Sequence, residues 1–131
     1  LIELSKQIGA KNEIIENIES TLSQHKELVN IKDELSTSLK ESFHIEKDWE
    51  TFGLYFEDQH QGFYQNLKKE FPELTNNDLR ICSLAKMRMS TKEAANTLNL
   101  SLDAIKSSRY RIRKKLQLEQ EIDLSDFLSE I

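Results

Sequence analysis

One proline and three glycines in 131 residues leave this chain few places at which to break a helix. Proline removes a backbone donor and clashes with the turn before it, and glycine loses the most freedom on ordering. Their scarcity favours long helices and argues against a β fold, which would need many tight turns. Apolar residues make up 37% of the chain and charged residues 31%, the first low and the second high for a globular protein. That is material for one compact domain and an extended element, and the expected fold class is all-α.

Residues 1–44 carry a narrow apolar stripe. Leu1, Leu4, Ile8, Ile15, Ile18, Leu22 and Val29 fit the a and d positions of a heptad, interrupted by Lys11 and His25. Leu28, Ile31, Leu35 and Leu39 continue it in a shifted register. Such a stripe cannot form a core alone and needs a partner helix. A parallel coiled-coil homodimer is the first expectation. Folding back on the next helix within one chain is the alternative, and the register shift with Ser36-Thr37-Ser38 suits either. The chain starts at Leu1, without Met and already inside the repeat, which predicts a piece of a longer protein.

Residues 45–72 predict a second long helix with an aromatic stripe of Ile45, Trp49, Phe52, Phe56, Phe63 and Leu67, ended by Pro72. Tyr55 and Tyr64 lie off its centre, and Gly53 and Gly62 permit close approach or a bend. Aromatic residues at helical spacing are usually core, and here they would join the coil to the C-terminal unit. That third unit, residues 73–131, opens on Thr75-Asn76-Asn77-Asp78, a cap for a helix over about 76–88. Ser90 with Glu93 three residues on is a capping-box signal, so another helix starts at Thr91. Asn99-Leu100-Ser101 is a polar break, Ser101 caps a helix over 102–117, and Asp103 suits its dipole. Ala94 and Ala95 allow close crossing. Asp123 caps a last helix whose Leu124, Phe127, Leu128 and Ile131 share a face.

The formal net charge of −5 hides a division. Residues 78–118 hold 10 Lys/Arg against 3 Asp/Glu, a local +7, and the remainder holds 8 against 20, or −12. Positive charge gathered on the stretch that holds the helical pair points to a polyanion, and DNA would repel the acidic remainder and so help orient the docked protein. At about 100° per residue, Ile105, Ser108, Ile112 and Leu116 form the inward face of the 102–117 helix. Lys106, Ser107 and Tyr110 lie opposite, placed for base edges. Arg111, Arg113 and Lys114 are placed for phosphates, joined by Thr91 and Lys92 at the start of the preceding helix. Arg109 falls on the core side, where an ion pair is expected. Two short helices with a tight turn and a basic second helix form a helix-turn-helix pattern, whose second helix can lie in a major groove.

Leu74-Thr75, Ser90-Thr91-Lys92-Glu93-Ala94-Ala95, Leu98, Leu100-Ser101, Ile105-Lys106, Ile112 and Lys115-Leu116 resemble LuxR-type (NarL/FixJ-like) DNA-binding domains. The chain departs from that pattern at Ser108, where many members have His, and at Met87-Arg88-Met89, where a Gly is common. Upstream, Asp48-Trp49, Phe52, Phe56, His60, Phe63, Leu67, Phe71-Pro72 and Arg80-Ile81-Cys82 are similar to the output end of large Bacteroidetes-type sensor-regulators. The likeness covers roughly residues 45–131. It implies a coiled coil and long connecting helix followed by a four-helix LuxR-type domain. It also implies a sequence-specific transcriptional regulator that acts in signal transduction as a dimer on double-stranded DNA, with RNA polymerase as a further partner. The region would be cytoplasmic, its parent protein either free or membrane-anchored.

Other chemistry finds little footing. His25, His44 and His60 are scattered, without metal-ligand spacing, and His25 lacks the surroundings of a phospho-accepting histidine. There is no Gly-rich phosphate loop and no nucleophile–base grouping, so neither enzyme nor cofactor is expected. Cys82, the only cysteine, excludes an intrachain disulfide and sits in an apolar helical pattern that predicts core packing. The rival from another class is a coiled-coil interaction module whose basic helix binds an acidic protein or RNA.

Overall fold

The computed structural model describes all 131 residues as eight α-helices with no strand. They are α1 (Ile2–Ser23), α2 (Lys32–Ser42), α3 (Ile45–Gln59), α4 (Phe63–Glu70), α5 (Asn76–Lys86), α6 (Thr91–Leu98), α7 (Leu102–Lys115) and α8 (Leu124–Ser129). A 3-10 segment, Lys26–Ile31, joins α1 to α2. None is long and apolar enough to cross a membrane.

Residues 1–44 are a helix, a 3-10 turn and a second helix folded back on the rest of the chain, with α6 rather than the next helix as the main cover of α1. Thr21, Ser23 and His25 all direct their side chains to carbonyls four residues earlier (3.0, 3.0 and 2.9 Å). Side chains that compete for backbone partners in this way weaken a helix, and α1 ends here. The stripe of α1 then finds its cover within the chain, on α6, α3 and α2. Ile8 and Ile15 are fully buried and Leu22 nearly so. Lys11, an interruption in the heptad, is satisfied by Asp48 of α3 at 2.6 Å and by the Phe43 carbonyl at 2.8 Å.

The expected long helix over residues 45–72 is instead two. Gly62 adopts φ 82°, a left-handed conformation that glycine enters without strain, and its N–H donates to Glu57 Oε1 at 2.7 Å. The bend leaves the aromatic stripe intact. Ile45, Trp49, Phe52, Phe56, Phe63 and Leu67 are all buried, and Phe56 meets Phe63 edge-on across the break at 5.2 Å. The reversal between α2 and α3 is made at His44, also left-handed (φ 57°).

Helix α5 is buried nearly all round, through Leu79, Ile81, Cys82, Ser83, Leu84 and Ala85. A helix buried over most of its circumference belongs at the centre, and α6, α7 and α8 pack around it. The Arg80 guanidinium lies 4.8 Å from the Trp49 ring centre and pairs with Glu46 at 3.0 Å, joining α5 to α3. Cys82 packs in this core, and burial, with the Asp78 charge adding to it, pushes its thiol up to about 12, so it is unreactive at neutral pH. The 22 residues of the single apolar core come from every α-helix except α2, so α1 shares its core with the C-terminal helices.

Candidate nucleic-acid interface

The α6–α7 pair is fixed at each end by short-range chemistry. Ser90 accepts from the Glu93 N–H and Glu93 returns the bond to the Ser90 N–H, both at 3.1 Å, which starts α6 at Thr91. Asn99 stops it by adopting φ 56°, and the Leu100 N–H closes the turn on the Ala95 carbonyl at 2.9 Å. Asparagine tolerates the left-handed region better than most residues. Ser101 then caps α7 by accepting from the Ala104 N–H at 3.1 Å. Glu93 is held below the ordinary carboxylate range by its bonds from Ser90, so the cap is fully charged at neutral pH.

Ile105, Ser108, Ile112 and Leu116 are buried and set the rotation of α7. That rotation brings Lys106, Ser107, Tyr110, Arg111 and Lys114 to the exposed side. The cations differ in freedom. Lys114 lies with Nζ 4.7 Å from the Tyr110 ring centre, a cation–π contact that orders both side chains while leaving the charge in solvent. Arg111 donates to Ser108 Oγ at 3.1 Å and stays exposed. Arg113 is half-buried and donates to the carbonyls of Glu119 (2.8 Å) and Gln120 (3.3 Å). It ties down the segment after α7 as well as contributing charge. Arg109 is half-buried with no carboxylate within ion-pair distance, so the ion pair expected for it is absent. Lys115 makes a pair instead, with Asp78 at 2.7 Å.

Thr91, half-buried, and Lys92, exposed, occupy the first turn of α6. Lys92 borders a depression of about 340 Å³ that also touches Asn96, Asn99, Ser101 and Leu102, and across it Glu16 of α1. Two residues of this surface escaped the sequence reading. Leu102 is 46% exposed at the first position of α7, four residues before Lys106 and eight before Tyr110, a spacing that puts all three on one stripe. Glu16 carried no sequence signal, since its approach depends on α1 folding back. No group of three His, Cys, Asp or Glu side chains is placed to hold a metal ion.

Comparison of the chain with family models, with curated proteins and with solved structures found no match.

Proposed function

We propose that this chain is a sequence-specific DNA-binding transcriptional regulator of the LuxR helix-turn-helix type, the output region of a sensor-regulator, working as a dimer. One observation carries the reading. Helix α7 presents an outward stripe of Leu102, Lys106, Tyr110 and Lys114, flanked by Ser107 and Arg111, while its opposite face is locked into the core. Major-groove recognition requires such a helix: donors and apolar groups near its start for base edges, and cations further along for phosphates. In this reading Lys106, Ser107 and Tyr110 meet bases, and Leu102 joins them as an apolar contact suited to a thymine methyl. Arg111, Lys114, Thr91 and Lys92 meet phosphates, with Arg113 adding its charge.

Selection of the protein against a random-sequence DNA pool at rising salt tests this. Phosphate contacts alone fade steeply with salt and enrich nothing. Enrichment of an inverted repeat near physiological salt is expected, since two domains related by a two-fold read two half-sites. The rival is an interaction module binding an acidic protein or RNA. The exposed apolar groups Leu102 and Tyr110 on the basic stripe suit it too, and absence of any enriched sequence would favour it.

A further inference from the structure

In DNA complexes of two-helix readers the first helix lies across the phosphate backbone while the second enters the groove. In this chain that first helix is α6, and α1 is seated on it. Gly9 is the point of closest approach, where an added Cβ would come within 2.8 Å of Asn96 Nδ2 and 3.4 Å of the Thr97 Cα. Asn12 Nδ2 donates to the Thr97 carbonyl at 2.9 Å, in the last turn of α6, and Ser5 Oγ meets Met89 Sδ at 3.6 Å just before its first. Glu16, one turn beyond Asn12, brings a carboxylate to the depression shared by Lys92 and the α6–α7 turn. A phosphate approaching Lys92 would meet that negative charge and the body of α1.

The stripe beside this seam has a second use written into its spacing. In the docked helix Ile8 and Ile15 are fully buried, Leu22 is nearly so and Leu1 is half-buried. These four also form the a positions of the heptad, and β-branched Ile8 and Ile15 there suit a two-stranded parallel coil. The docking seam itself is small and polar, with Ser5, Gly9 and Asn12 buried among the isoleucines. With Ile8 and Ile15 sealed in the core of its own chain, docked α1 cannot also offer that stripe to a second copy.

We infer that α1 is a detachable brake on the candidate DNA interface, released when α1 of a second copy draws the Leu1–Ile8–Ile15–Leu22 stripe out of the core. The inference rests on the DNA-binding reading and adds how that site is controlled. Two opposed variants of the full chain test it, on a Cys82→Ala background. Gly9→Leu wedges α1 off α6. Ser5→Cys with Met89→Cys allows a disulfide that locks it on. Binding to a labelled mixed-sequence DNA duplex at low salt is measured for each, with hydrogen exchange of residues 2–23 reporting whether α1 is docked. The wedge should tighten binding and the oxidised lock weaken it, each by about tenfold, within the usual range of coupling between sites. Reduction should restore the locked protein, and the wedge variant should dimerise at lower concentration. If exchange shows α1 released by the wedge and held by the lock while all forms bind DNA equally, the brake is refuted and the DNA reading stands. If even the released form binds no duplex, the DNA reading falls and takes the brake with it.

Discussion

The contact between Asp78 and Lys115 makes a sharp test of how the C-terminal helices are held together. Asp78 stands at the third position of α5. Its Oδ2 accepts from the Thr75 N–H at 3.0 Å while its own N–H donates to Thr75 Oγ1 at 3.1 Å, a complete capping box. The same Oδ2 accepts from Lys115 Nζ at 2.7 Å, and Lys115 ends α7. One carboxylate thus starts the central helix and anchors the far end of the basic one. Loss of a cap costs about 1 kcal/mol. A charged hydrogen bond contributes about 1.5–3 kcal/mol, but exposed ion pairs only about 0–1. With side chains 13% and 28% exposed, this pair lies between those limits, at about 1–2 kcal/mol. Asp78→Ala should therefore destabilise by about 2–3 kcal/mol, a fall of roughly 10 °C in Tm for a chain of this size.

A double-mutant cycle of Asp78→Asn with Lys115→Met, followed by urea unfolding, separates the parts. Asparagine keeps an acceptor for the Thr75 N–H and loses the charge, so Asp78→Asn should cost roughly half as much as the alanine variant. The coupling between the two sites should be about 1–2 kcal/mol at neutral pH. Burial works against ionisation of Asp78, but the bond from Lys115, with the Thr75 N–H and the Lys115 charge, outweighs it and holds the carboxyl below its ordinary 3.8. Because the folded value is the lower one, this stabilisation is present in full above the unfolded value and disappears as pH falls through the folded one. A coupling indistinguishable from zero at neutral pH, or one that survives full protonation, would refute the reasoning.

Gln117 sits at φ 56° just past α7. Gln117→Gly should raise stability by about 0.5–1 kcal/mol in the same urea assay, since glycine adopts the left-handed conformation without the side-chain clash. Burial, and then the Lys86 charge, lower the His60 pKa. The unfolded chain therefore takes up that proton first, and stability should fall as pH drops below the ordinary 6.5. The acid limb of a Tm-versus-pH series should flatten in His60→Phe. On a selected DNA site, Lys106→Ala or Tyr110→Ala should relax preference at one position at a cost of about 1–3 kcal/mol, while Lys114→Ala should weaken all sequences alike and reduce the salt slope by about one. Equal losses across sequences for all three would point to charge without readout.

Elements whose causes lie within a few residues are legible in the chain alone. The Ser90–Glu93 box, the Ser101 cap, the Asp123 cap and the inward face of α7 come from local hydrogen bonding and the 3.6-residue period. The Thr75–Asp78 start of α5 and the burial of the aromatic stripe have the same local origin. Where spacing leaves two outcomes equal, long-range packing chooses between them. A heptad stripe states that α1 needs a partner and is equally satisfied by a second copy or by helices of its own chain; the fold-back shows only in the packing, with Gly9 and Asn12 against α6 and Lys11 against α3. The break at Gly62 was open to the sequence only as one of two uses for that glycine. It turns on Glu57 reaching the glycine N–H while Phe56 and Phe63 stay in contact. The partners of individual charges were equally out of reach. Arg109 was expected to be paired and is not, while Lys115 and Arg113 are engaged by groups 37 residues away in one case and on the adjoining loop in the other. A long flexible side chain is committed by whatever the fold brings near its end, and sequence spacing fixes only where its Cα lies.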